Sequence, residues 1–139
     1  MSILIAVVAL SGQAKPVTYP FKQLEAGGFS RQRTAKVFVI RSAGDYQAYN
    51  TTLGRVMATP KVDWKHSQLL AVHIGSAPST GYGLVVKRIV RESPASVVVE
   101  AVKIFPPQGT MQAMHVTYPY VIVRTPKFEG RVTLKVQGE

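Results

Sequence analysis

Leu69-Leu70-Ala71-Val72-His73-Ile74 runs into Gly75-Ser76-Ala77-Pro78-Ser79-Thr80-Gly81-Tyr82, and Leu84-Val85-Val86 follows. The apolar runs are short and partly β-branched, while glycine and proline punctuate the segment between them, so the stretch reads as two buried strands joined by a loop. Inside the loop the serine and threonine hydroxyls suit bonds to nearby backbone, and Tyr82 places an aromatic body with a polar tip at the exit.

Downstream, the strand expected over Tyr82–Arg91 alternates imperfectly. Leu84 and Val86 point to one face and Val85 and Ile89 to the other, which predicts burial on both faces over part of its length. Ser93-Pro94-Ala95-Ser96 is a turn, and Val97–Ile104 returns as the hairpin partner. Phe105-Pro106-Pro107-Gln108-Gly109-Thr110 is a loop, because consecutive prolines have no place in a hydrogen-bonded ladder. Met114–Arg124 and Arg131–Val136 supply the last strands.

Upstream, Lys36-Val37-Phe38-Val39-Ile40-Arg41 is a strand by its β-branched and aromatic content. Ser42 with Asp45 three residues on resembles a capping box, and Tyr46, Tyr49 and Leu53 recur at helical spacing, which predicts one helix over 43–53 that ends at Gly54. Residues 21–29 suit a short edge strand and a turn, whereas Pro16–Pro20 is too proline-rich for regular structure. The short links favour antiparallel pairing. The expected fold is mainly β, an antiparallel β-sandwich or half-open barrel with one short helix.

The 139 residues suffice for a single domain, expected over 15–139, with a core that needs no staples. Cysteine is absent, which removes a disulfide framework, a thiol nucleophile and a thiolate metal site. Residues 1–14, an apolar run from Ile3 to Leu10 and then small residues, look like a truncated secretory signal, with an N-terminal buried strand as the alternative. The run is too short for a membrane span. A formal charge of +10 favours anionic partners, but the basic residues are scattered, the densest groups being Arg31-Gln32-Arg33 and Lys87-Arg88. No recognition helix or other nucleic-acid motif accompanies them, so a specific nucleic-acid partner is not expected.

No catalytic constellation stands out. The chain lacks a Gly-x-Ser-x-Gly elbow, a phosphate-binding loop and a His-Glu-x-x-His pair. Asp63, His66, His73 and His115 fall at no recognised ligand spacing, so neither a metal nor any other cofactor is expected. Trp64 suits core packing, and Pro119 between Tyr118 and Tyr120 should mark an edge or bulge.

Val62-Asp63-Trp64-Lys65, the strand ending at Gly75, Pro78-Ser79-Thr80-Gly81-Tyr82 and the string from Gln112 to Val121 resemble the C-terminal domain of PrcB-type proteins, accessory subunits of bacterial protease complexes. The likeness covers residues 62–127; where the family usually carries Thr-Gly-Gly-Tyr, this chain has Ser79-Thr80-Gly81-Tyr82. It implies a non-enzymatic, periplasmic or secreted protein that associates with or stabilises a peptidase. The residues expected to meet that partner, a peptidase or another envelope protein, are Pro78, Ser79, Thr80, Gly81 and Tyr82 of one loop, Pro107 and Gly109 of the other, and Tyr118 and Tyr120. The 78–82 loop is also similar to that of chagasin-type inhibitors, immunoglobulin-like sandwiches that insert loops into papain-like peptidases, which makes direct inhibition an alternative. Anion or nucleic-acid binding through the basic charge is another.

Overall fold

A computed structural model describes residues 17–138, and the signal-like run over 1–14 lies outside them. The chain forms β1 (Val17–Thr18), β2 (Lys22–Gly27), β3 (Ala35–Ile40), α1 (Ala43–Thr52), β4 (Ser67–Ile74), β5 (Gly83–Ser93), β6 (Ser96–Ile104), β7 (Tyr120–Pro126) and β8 (Arg131–Gln137). They assemble into two four-stranded sheets, ordered β1-β5-β6-β8 and β2-β7-β4-β3. The result is a sandwich with a helix on one outer face and no closed barrel among the described residues.

The alternation of β4 and β7 builds both apolar layers. Leu70 and Val72 of β4, with Val121 and Val123 of β7, face Val86, Ile89, Val97 and Val99 of the opposite sheet. The intervening residues Leu69, Ala71 and Ile122 point the other way and meet Tyr46, Tyr49 and Leu53 of α1. Strands covered on both faces favour apolar residues on both, which is why Leu69–Val72 is continuously apolar instead of alternating. Trp64 packs against the helix-side layer.

Helix α1 starts where its sequence asks it to. The Ser42 hydroxyl accepts the Asp45 N–H at 3.0 Å, which meets one free donor of the first turn, and the Asp45 carboxylate accepts the N–H of Arg41, just ahead of the cap, at 3.1 Å while placing an acid at the positive end of the dipole. Gly54 ends it in the left-handed region.

Four expectations are corrected. Val17 and Thr18, in the proline-rich start, do form a strand, pairing with Arg91 and Val90 on the edge of β5 between flanking prolines. In β5 a bulge between Val86 and Arg88 shifts the register, so Ile89 joins Leu84 and Val86 in the inter-sheet core while Val85 is exposed. The strand expected from Met114 begins only at Tyr120, because β4 stops at Ile74 and Gly75 (φ +86) turns the chain away, leaving residues before Tyr120 no continuous strand to pair with. Finally, β8 pairs with β6 in parallel, not antiparallel. Residues 127–130 carry the chain from one sheet to the other, so no in-sheet hairpin dictates the direction of β8.

That crossover is anchored. Phe128 is buried in the inter-sheet core and its ring centroid lies 4.7 Å from that of Tyr19, while its carbonyl accepts Arg41 Nη2 at 3.2 Å. Gly130 (φ +114) brings the chain against Ala95, whose carbonyl accepts the Arg131 N–H at 2.8 Å. Replacing Phe128 with alanine should therefore cost about 3–5 kcal/mol in denaturant unfolding. Phe29→Ala, at a side chain 68% exposed, should change stability by less than about 0.5 kcal/mol in the same measurement.

Candidate functional site

Three segments gather at the end of the sandwich where β4 stops and β7 starts: residues 28–34, 75–82 and 105–119. Ala77 and Thr117 exchange backbone hydrogen bonds at 2.8 and 2.9 Å, and the Thr80 N–H donates to the Ala113 carbonyl at 3.1 Å. On the other side, the Tyr118 N–H donates to the Gly28 carbonyl at 2.6 Å and the Ser30 N–H to the Tyr118 carbonyl at 3.3 Å. The two proline-bearing loops are neighbours.

Side chains lock the 75–82 loop in place. The Thr80 hydroxyl accepts the Ala113 N–H at 2.9 Å and donates to Gln112 Oε1 at 3.1 Å, and the Thr117 hydroxyl donates to the Ser79 carbonyl at 2.9 Å. Gly81, not residue 80, takes the left-handed conformation (φ +92), and a β-carbon there would lie 2.5 Å from Gln112 Oε1 and 2.8 Å from Pro106 Cβ. The glycine is thus required twice, by backbone conformation and by the closeness of the second loop. The Tyr82 ring packs against Phe105 at 5.5 Å between centroids, with Lys103 Nζ 5.3 Å from each ring centre.

Of the residues expected to meet a partner, Pro78, Gly81, Pro107 and Gly109 are exposed, Thr80, Tyr82 and Tyr118 are half-buried, and Ser79 is buried. Tyr120 differs from that expectation: it is 8% exposed, on the helix-covered face of its sheet, and its hydroxyl donates to Glu25. The exposed apolar residues nearby, Phe29, Met111, Met114 and Val116, belong to no chemical motif, and the apolar character of Met114 and Val116 suits a strand instead of an open loop. The Phe29 ring stacks on His115 with centroids 6.0 Å apart.

Beneath this end lies a buried polar network. Ser30 Oγ donates to the Tyr118 carbonyl at 3.1 Å, so it accepts from His73 Nδ1 at 3.1 Å, and His73 Nε2 is left to accept the Tyr49 hydroxyl at 2.9 Å. Tyr120 stacks on the His73 ring. Arg55 completes the arrangement by pairing with Glu25 at 2.8 Å, donating to the Tyr120 hydroxyl at 2.9 Å and to Asn50 Oδ1 at 2.6 Å. These contacts tie α1, β2, β4 and β7 together at the base of the loops.

The electrostatics follow from that burial. Desolvation, helped by the Arg55 charge, pulls His73 down to about 4. Desolvation and the bond to Glu25 push the Tyr120 hydroxyl up. Burial opposes the Arg55 charge, but the bonds and charges of Glu25 and Tyr120 together outweigh it, so Arg55 is raised. The Glu25 carboxylate turns to Arg55 and Tyr120, not to His73, and His73 is fully buried, so the Ser30, His73 and Tyr49 chain has the bonding of a structural tie. Two shallow grooves, one beside Pro20 and Arg124 and one between α1 and β3, include neither Ser30 nor His73. His66 bonds the Asp63 carboxylate at 2.8 Å on an exposed turn, holding Asp63 below the usual carboxylate range. Among the described residues no three histidine or carboxylate side chains gather as metal ligands.

The fold and this end together define a two-sheet β-sandwich with three loop segments clustered over a buried hydrogen-bonded base. Residues 69–126, from β4 through β7, match the family model described as PrcB C-terminal, which supports a PrcB-type family assignment over that segment. No curated protein and no solved structure matches the chain. None of these comparisons bears on the likeness to chagasin-type inhibitors.

The buried histidine makes stability pH-dependent. Above pH ~6.5 His73 is neutral in both folded and unfolded chains, whereas between about pH 6.5 and 4 the unfolded chain takes up a proton that the folded one refuses. Unfolding free energy should fall by about 3 kcal/mol across that window from this residue. In His73→Gln the slope between pH 6.5 and 5, measured by denaturant titration, should flatten.

Proposed function

We propose that this protein is a non-enzymatic, periplasmic or secreted binding module that associates with or stabilises a peptidase through the loops 75–82 and 105–110 with Tyr118. The observation that carries the proposal is the locked pair of loops inside the segment that matches the PrcB C-terminal family. A loop held by Thr80, Gln112 and Thr117 pays little ordering entropy on binding, which is what a recognition surface needs. Pro78, Gly81, Pro107 and Gly109 lie open on it, with the half-buried Tyr82 as an aromatic contact.

Gly81→Val tests this reading, since its side chain meets Gln112 and Pro106 and its backbone resists the required conformation. Recovery of the peptidase with the tagged protein from its native envelope should drop by about tenfold or more, while the far-ultraviolet spectrum of the sandwich is retained. A stoichiometric partner of another kind, with no peptidase recovered by the unaltered protein, would show the proposal to be wrong.

A further inference from the structure

The loop end has a second part that the peptidase reading leaves unused. Met111 is 99% exposed, Met114 84%, Phe29 68% and Val116 51%, all on the irregular segments beside the locked loop. Three cations belong to the same end: Arg31 and Arg33 follow Phe29 in the chain, and Lys103 caps the Tyr82 and Phe105 rings. None of the chain's seven acidic residues lies in segments 28–34, 75–82 or 103–119. The two nearest in sequence are already held, Glu25 by Arg55 and Tyr120 and Glu100 by Arg88.

Apolar side chains this exposed cost solubility and do nothing for the core, so their gathering on segments that carry no acid calls for an occupant. A folded protein partner would have to offer a fitted pocket to each. The interface of a lipid bilayer needs no such fit: flexible, unbranched methionines and an aromatic ring enter the headgroup and upper acyl region, while arginine and lysine stay among the phosphates. The charge pattern selects the lipid. Arg31, Arg33 and Lys103, with no acid among the described residues of these segments, on a chain of formal charge +10, match an anionic surface and draw the protein to it over a Debye length.

From this geometry we infer that the end formed by Phe29, Met111, Met114 and Val116 inserts into the interface of an anionic phospholipid membrane, with Arg31, Arg33 and Lys103 contacting the headgroup phosphates. The binding is peripheral, because the loop backbone carries polar groups that the hydrocarbon core would leave unsatisfied.

Co-sedimentation of the full chain with vesicles tests it. The protein should pellet with phosphatidylcholine vesicles that contain phosphatidylglycerol and stay in solution with phosphatidylcholine alone, and added salt should weaken the partitioning. Arg31→Gln with Arg33→Gln should lower the partition coefficient about fivefold for each cation removed. Met111→Ser with Met114→Ser should lower it roughly tenfold, with an unchanged thermal melt because both side chains are almost wholly exposed. Absence of pelleting overturns the inference, and so does pelleting that the methionine variant leaves unaffected, which would reflect the basic surface at large. If the methionine variant instead loses the peptidase while no vesicle is bound, the apolar tip belongs to a protein interface. A peptidase recovered normally beside a failed vesicle experiment would leave the functional proposal standing and remove this one.

Discussion

Strands β4 and β7 lie side by side at the centre of one sheet with apolar layers pressed on both faces, and the rest of the molecule is arranged to keep water from either. On one side the β5 and β6 strands supply the cover through Val86, Ile89, Val97 and Val99. On the other, a short helix does so with two tyrosines and a leucine. A helix of ten residues has little stability alone, so it depends on this contact and on its Ser42 cap. The network of His73, Tyr49, Ser30, Arg55 and Glu25 lies where the helix layer runs out and the loops begin. Polar groups buried at that junction would cost several kcal/mol if left unpaired, and here each of these residues has a partner.

Because the base is rigid, the loops above it can be irregular without being loose. Thr80 illustrates the division of labour: its hydroxyl bridges the backbone of Ala113 and the amide of Gln112, while its neighbour Gly81 makes the turn. The glycine that the PrcB family usually carries one position earlier is therefore not needed for a left-handed backbone at residue 80. A side chain there contributes hydrogen bonds instead.

Much of this was legible in the sequence where local chemistry decides structure. The helix was marked at both ends by Ser42, Asp45 and Gly54, and the β4 run and the proline loops were read from composition. What escaped were features set by distant partners. The bulge at Lys87 that turns Ile89 inward leaves no local sign, and neither does the jump of residues 127–130 to the other sheet. Tyr120 looked like a surface tyrosine because a proline precedes it, yet its pairing with His73 places its ring under the helix layer. Met114 and Val116 looked like strand residues for the opposite reason: apolar character reports burial only when a neighbouring strand is there to provide it.

The parallel union of β6 with β8 has a bearing on how the chain is made. Strand β6 emerges from the ribosome with one edge unfilled, and the segment that fills it follows only after β7 has been translated. Until then the nascent chain carries an open, valine-rich margin along Ser96–Ile104. Such late, long-range closure makes for slow folding.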